Sequence, residues 1–191
     1  MLALFDGPIN GAGSTVLLDM VDASALLWRL HLQGIDVGER WQTLADRWEP
    51  LASAGNYAFN DAHAMLAFVG ADRPQAAHTL LETQQQAMRG DADNARFTAE
   101  VGHAVSKAIH AFGAGNYAET LRLLRPVRNI AQRFGGSHAQ RDLLDLTLIE
   151  AAFRAGQKSL ATALCNERLA VRPESPLSRR LANRAEVQEA A

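Results

Sequence analysis

Two short polar phrases in this chain of 191 residues carry residue types that often contact ligands. One lies at residues 60–63 (NDAH) and the other at residues 137–141 (SHAQR). In each phrase two polar side chains stand three positions apart, so both lie on one face of a helix. An amide beside an imidazole can hold the backbone of an extended peptide, and an arginine at a helix N-terminus suits a carboxylate. We therefore predict four partner-binding residues: Asn60, His63, His138 and Arg141.

Structural interpretations of the same phrases stay open. Asn60 or Asp61 can cap the start of a helix, with His63 in a buried hydrogen bond. In the second phrase two glycines precede Ser137, and Ser137 with Gln140 has the spacing of a capping box. These interpretations assign the polar side chains to the stability of the fold rather than to a ligand.

Other reactive residue types lack the partners that catalysis or metal binding needs. Glu100 and His103 form a single Glu-x-x-His pair, whereas a di-iron bundle uses that pair on two helices. The single cysteine, Cys165, falls on an apolar helix face and is expected to be a buried hydrophobe. The glycine phrase at 11–14 (GAGS) lacks the lysine of a phosphate-binding loop. We predict no catalytic residue, no metal site and no cofactor.

Charge is distributed unevenly along the chain, although the net charge is only −2. Residues 1–119 contain seven Lys and Arg against fourteen Asp and Glu, while residues 120–191 contain twelve against seven. Such a difference favours head-to-tail association or an anionic partner at the basic end, or it reflects two solvated faces of different composition. A row of arginines without interleaved aromatic residues argues against nucleic acid and for a solvated face or an acidic protein partner: Arg122, Arg125 and Arg128.

No apolar run approaches the length of about 20 residues that a membrane span needs, and the sequence predicts no membrane partner. The apolar start of the chain is interrupted at Asp6 and lacks the basic region of a signal peptide. A chain with one cysteine has no disulfide framework. We therefore expect a cytoplasmic protein.

Apolar residues at helical spacing predict a chain that is almost entirely helical. The Ala- and Leu-rich composition fits this prediction. We expect an irregular N-terminal segment at 1–15 and a repeat domain at 16–191 that is part of a longer array. Proline inside the sixth helix, at Pro126, should bend it. The predicted helices cover residues 16–33, 39–52, 59–70, 73–89, 97–113, 117–134, 138–155, 158–171 and 176–189.

A turn phrase recurs three times between these helices, at 70–77 (GADRPQAA), 113–120 (GAGNYAET) and 154–161 (RAGQKSLA). Each copy places a turn residue five positions before a small residue, which lets two antiparallel helices pack closely. The turn residues are 43 and 41 residues apart, longer than the tetratricopeptide period of about 34. We predict an all-α, α-α superhelix, a tetratricopeptide-like solenoid of about four degenerate hairpins.

Four stretches give the chain a resemblance to the tetratricopeptide repeat protein 38 family. They are 21–30 (VDASALLWRL), 36–41 (DVGERW), 57–65 (YAFNDAHAM) and 135–142 (GGSHAQRD). The match runs over nearly all of this chain and is to the C-terminal half of such proteins, so Met1 is expected to correspond to an internal position. The resemblance implies a helical-repeat fold and carries over no catalytic residue.

The predicted function is that of a non-catalytic scaffold that binds a peptide or protein segment in a concave helical groove. One alternative is an enzyme or small-molecule binder that uses a polar pocket near His63 and His138. A second alternative is a structural homo-oligomer. An enclosed cavity shared by His63, His138 and Asp142 would favour the enzyme, whereas an open groove would favour the scaffold.

Overall fold

Amphipathic segments separated by glycine turns fold into helices alone. The computed structural model describes residues 2–9 and 13–190, and this part of the chain contains no strand. The α-helices are α1 (Leu2–Leu4), α2 (Leu17–His31), α3 (Arg40–Trp48), α4 (Ala58–Gly70), α5 (Pro74–Ala87), α6 (Asp93–Phe97), α7 (His103–Gly113), α8 (Tyr117–Val127), α9 (His138–Arg154), α10 (Lys158–Val171) and α11 (Pro176–Ala190). π-Helical segments lie at Phe5–Ile9 and Thr98–Gly102, and 3-10 segments at Glu49–Leu51 and Arg128–Phe134.

The all-helical prediction is confirmed, and all nine predicted helices are present. The largest difference in extent is at the fifth, where the helical run begins at Asp93 and passes through a π-helical segment before α7. Pro126 marks the end of regular α-helix in α8, because the chain continues from Arg128 as a 3-10 helix. Residues 2–9, within the segment expected to be irregular, are helical. The glycine phrase at 11–14 lies partly outside the described residues.

The three predicted turn residues share one backbone conformation. Asp72, Gly115 and Gly156 all have left-handed φ values, of 52°, 73° and 67°. After each turn a backbone N–H donates to the carbonyl five residues earlier: Arg73 to Phe68, Asn116 to Ala111 and Gln157 to Ala152. The small residues that follow are all buried in the core: Ala77, Thr120 and Ala161.

These turns produce three helical hairpins, α4 with α5, α7 with α8, and α9 with α10. The hairpins pack in chain order: α4 contacts α7, and α9 contacts both α7 and α8. At the two ends of the series, α3 packs against α4 and α11 packs against α10.

Helix α2 packs across the hairpins instead of continuing the series. It contacts α3 and α4, which are close to it in sequence, and also α9. Its Trp28 is fully buried, donates from indole Nε1 to Thr147 Oγ1 of α9 at 2.9 Å, and lies edge-on to Phe112 of α7. The buried residues of α2 pack against α3, α4, α7 and α9, which accounts for much of its apolar composition, whereas Leu17 and Leu18 at its start are exposed.

Candidate functional site: a groove between α2, α9 and α11

The two polar phrases of the sequence meet in the structure. Gly135 and Gly136, which directly precede the second phrase, lie against the side chains of Tyr57 and Phe59, just before the first phrase. Both glycines have positive φ, of 100° and 77°, and a Cβ at Gly136 would overlap the ring of Phe59. Contact between the beginnings of α4 and α9 is therefore the local reason for the double glycine.

Capping at the two helix starts differs from one phrase to the other. The capping box of Ser137 and Gln140 at α9 is confirmed, with both reciprocal hydrogen bonds present. The prediction that Asn60 or Asp61 caps α4 is wrong, because α4 begins at Ala58 and both residues lie inside the helix. The cap comes from a distant residue, Asn94, whose Oδ1 accepts from the backbone N–H of Ala58 at 2.9 Å.

His63 is sealed inside the protein. It is 4 % exposed, and its Nδ1 donates to the carbonyl of Phe59 at 2.8 Å, which leaves Nε2 without a hydrogen-bond partner among the described residues. Burial lowers the pKa of His63 to about 4, so the imidazole is neutral at neutral pH. The cavity beside it has a volume of about 10 Å³, enough for a single water molecule.

Arg141 is the predicted residue that shares this cavity with His63. Its guanidinium donates to the carbonyls of Gly135 and Gly136 and so holds the glycine turn in place. His138 is exposed at the surface, with Nδ1 3.5 Å from the Arg141 guanidinium, and Asn60 is half-buried. The four predicted residues are therefore neighbours, but they do not line one accessible pocket.

Asp142 has a different set of partners. Its carboxylate receives Arg168 through two guanidinium nitrogens and Arg172 through a third contact at 2.7 Å. It lines a cavity of about 100 Å³ between α9 and α10, away from His63. His63, His138 and Asp142 therefore do not converge on an enclosed pocket.

Sequence reasoning missed a buried polar chain that links α4, α5 and α7. Gln84 is fully buried, and its amide nitrogen donates to Asp61 Oδ2 at 3.3 Å and to Ser106 Oγ at 3.0 Å. The amide oxygen of Gln84 lies 3.2 Å from His103 Nδ1. Burial raises the pKa of Asp61 to about 6, and the Gln84 hydrogen bond opposes that shift. Glu100 faces elsewhere and pairs with Arg133 at 3.0 Å.

Cys165 is confirmed as a buried residue. Its side chain is inaccessible, and burial raises the pKa of the thiol to about 11. The thiolate needed by a nucleophile is therefore absent near neutral pH.

A large groove lies between α2, α9 and α11, with a volume of about 650 Å³. This size lies within the usual range for ligand sites. Its apolar lining consists of Leu30, Leu32, Ile35, Leu146, Leu177 and Leu181. Ile35 stands at the edge of the groove and is 43 % exposed. We call this feature the α2–α9–α11 groove.

Charged side chains form part of the groove wall. Arg29 comes from α2, while Arg180 and Arg184 come from α11. Glu150 of α9 is the acidic residue of the lining, and it binds Arg184 at 2.7 Å. Three cations against one anion give the groove a positive charge.

The groove has a recognisable but weak sequence signal. In α11, Leu177 and Leu181 alternate with Arg180 and Arg184 at spacings of three and four residues, so one helix face carries both apolar and cationic side chains. The excess of basic residues after position 119 also points to this end. Nothing local indicates that the end of α2 forms the opposite wall, because that contact is between distant parts of the chain.

No family model matches the chain, and no solved structure matches it. Within residues 2–9 and 13–190, no helix combines the length and apolar composition that crossing a lipid bilayer requires.

Proposed function

We propose that this chain is a non-catalytic, tetratricopeptide-like helical scaffold that binds a segment of another protein in the α2–α9–α11 groove. The single observation that carries the proposal is the groove itself, because it is open and lined by six apolar side chains from α9, α11, the end of α2 and the turn after α2. Apolar pockets between helices are a common way to hold a protein segment. The three repeated turns, and the resemblance to the tetratricopeptide repeat protein 38 family, support assignment to this class of scaffold.

The proposed site differs from the four residues singled out in the sequence. His63 is sealed in the core, and Arg141 is engaged with the turn that precedes α9. The surface of α4, α7 and α9 that a peptide would need is covered by α2. The groove is therefore the better-supported location for a partner.

We also propose a cytoplasmic setting for this scaffold. The free, buried thiol of Cys165 is in keeping with a reducing compartment.

An enzymatic role has less support. Asp142 is neutralised by two arginines, His63 is enclosed and His138 is at the surface, so these three side chains form no acid–base arrangement. Acid–base catalysis needs a general base within hydrogen-bond reach of a substrate proton, and the arrangement of these three side chains does not provide one.

Selection from a random peptide library displayed on phage tests the proposal. We expect wild-type protein to enrich peptides whose affinity falls at least about tenfold in the Ile35→Asp variant, because an aspartate at the groove edge makes apolar contact unfavourable. Val187→Asp is the matched control, since Val187 is 70 % exposed and lies outside the groove lining. Failure to enrich any peptide, or equal binding to both variants, would refute the proposal.

A further inference from the structure

Of the three arginines that line the α2–α9–α11 groove, Arg184 forms an ion pair with a described residue, whereas Arg29 and Arg180 do not. Arg184 is paired, because it binds Glu150 and its guanidinium also lies 4.0 Å from the ring centroid of Phe153. Glu150 in turn is shared with Arg154, at 2.8 Å. Glu150, the acidic residue of the groove lining, is therefore already engaged by two cations. The other two arginines of the lining, Arg29 and Arg180, form no ion pair with a described residue.

Arg29 is a half-buried cation whose hydrogen-bond partners are uncharged. It donates to the carbonyls of Ala25 at 2.9 Å and Ala139 at 2.7 Å, and no carboxylate of the described chain lies within 4.0 Å of it. Burial lowers the pKa of Arg29, and the charges of Arg168 and Arg172 act in the same direction. The carboxylates of Asp142 and Asp22 oppose this shift without forming an ion pair with Arg29. A guanidinium in this setting is stabilised when a carboxylate approaches from the groove.

Arg180 is exposed, and it has no ion pair with any described residue. Leu177 and Leu181 lie three residues before it and one residue after it, and both contribute to the apolar lining. A ligand that covers the two leucines therefore brings its own polar groups close to Arg180. Positive potential and apolar surface are thus combined on one wall of the groove.

We propose that the α2–α9–α11 groove selects protein segments that carry carboxylate side chains beside apolar ones, with Arg180 and Arg29 as the residues that recognise the carboxylates. This inference rests on the proposed function and adds the chemistry of the partner. Complementary charge supplies the argument, since two cations of the groove lining form no ion pair with any residue that the structure describes. Segments with neutral or basic polar residues leave these cations unpaired and bind more weakly.

The experiment uses the tightest peptide obtained from the library selection, labelled with fluorescein and titrated by anisotropy. Its acidic residues are replaced by glutamine in one version and by lysine in another. We expect the glutamine version to bind at least about fivefold more weakly to wild-type protein, and the lysine version more weakly still. With the Arg180→Gln variant of the protein, we expect the acidic peptide and its glutamine version to differ less in affinity than they do with wild-type protein.

Arg125→Gln is the matched control for Arg180→Gln. Arg125 is also exposed and has no ion pair with any described residue, but it lies on α8 outside the groove lining. The Arg125→Gln substitution removes the same charge as Arg180→Gln, and it should leave the difference in affinity between the acidic peptide and its glutamine version unchanged. Arg180→Glu should restore part of the binding of the lysine version, which a purely structural role for Arg180 would not produce.

The outcomes separate the two proposals. Peptides that bind wild-type protein equally well with glutamate and glutamine, and that depend on Ile35, would overturn the carboxylate inference and leave the binding function standing. Absence of any enriched peptide would overturn both. Sedimentation of the wild-type protein at increasing concentration tests a second copy as the occupant: self-association abolished by Ile35→Asp would also overturn the carboxylate inference.

Discussion

Among single residues, Asp61 and His63 of α4 have pKa values that shift in opposite directions. Both are buried, at 9 % and 4 % exposure, and burial disfavours the charged form of each. It raises the pKa of Asp61 to about 6 and lowers the pKa of His63 to about 4. Two positions apart on a helix, the side chains do not face each other, and they have different hydrogen-bond partners, Gln84 for Asp61 and Phe59 for His63.

Asp61→Asn is expected to stabilise the protein at pH 8. The folded state holds the Asp61 proton more tightly than the unfolded chain, so stability from this group is present below pH 4 and is lost as pH rises to about 6. The amide removes a buried negative charge and can still accept from Gln84. We expect a gain in the free energy of unfolding on the order of 2 kcal/mol at pH 8 and almost none at pH 4. Urea unfolding at the two pH values measures the difference.

His63→Gln is the companion variant with the opposite sign. The unfolded chain binds the imidazole proton near pH 6.5 and the folded state only near pH 4, so wild-type stability is lost as pH falls through this interval. Glutamine can still donate to Phe59 and does not titrate. We expect the variant to lose less stability than wild type between pH 7 and pH 4. Parallel pH profiles for the two proteins would contradict the assignment.

Residue-level prediction from sequence succeeded where the partners are local. Ser137 and Gln140 are three residues apart, so their capping box can be recognised without knowledge of the fold. The cap of α4 comes from Asn94, 36 residues away, and no local pattern identifies it. The same limit applies to Asp61, because its partner Gln84 lies on another helix.

On the scale of helices and turns, the recurring turn phrase was the most predictive feature. A left-handed residue followed by a small one is a local requirement, and all three copies adopt it. Periodicity located the helices for the same reason. It shows which face of a helix is buried but not which helix covers that face, so the position of α2 and the groove beside it could not be predicted.

Replacing Gly115 and Gly136 by alanine, one at a time, should distinguish the cost of backbone strain from the cost of steric overlap. Gly115 has φ of 73° and open space where a Cβ would stand, so Gly115→Ala is expected to cost about 1 kcal/mol. Gly136 has a similar φ of 77°, but its Cβ would meet Phe59, and Gly136→Ala is expected to cost about 3 kcal/mol. Free energies of unfolding from urea titration provide the comparison. Equal losses would show that the contact between Phe59 and the glycine turn relaxes without cost.

For the molecule as a whole, α2 changes how the helices are coupled. In a linear array each repeat contacts only its neighbours, and distant units can open separately. Here Trp28 of α2 and Thr147 of α9 are joined by a buried hydrogen bond although they lie 119 residues apart in sequence. Helices α2 and α9 are therefore expected to unfold together.

Hydrogen exchange of the native protein tests this coupling. We expect the slowest amides of α2 and α9 to exchange with the same free energy of opening, and Thr147→Val to lower both by a similar amount of about 1–3 kcal/mol, because the buried indole N–H of Trp28 loses its acceptor. Thr43→Val is the control, since the Thr43 hydroxyl donates locally, to the carbonyl of Glu39 directly before α3. If Thr147→Val destabilised α9 while the amides of α2 kept their protection, α2 and α9 would belong to independent units. In that case the wall that α2 contributes to the groove could move away from α9 and α11, and peptide affinity would depend on that opening.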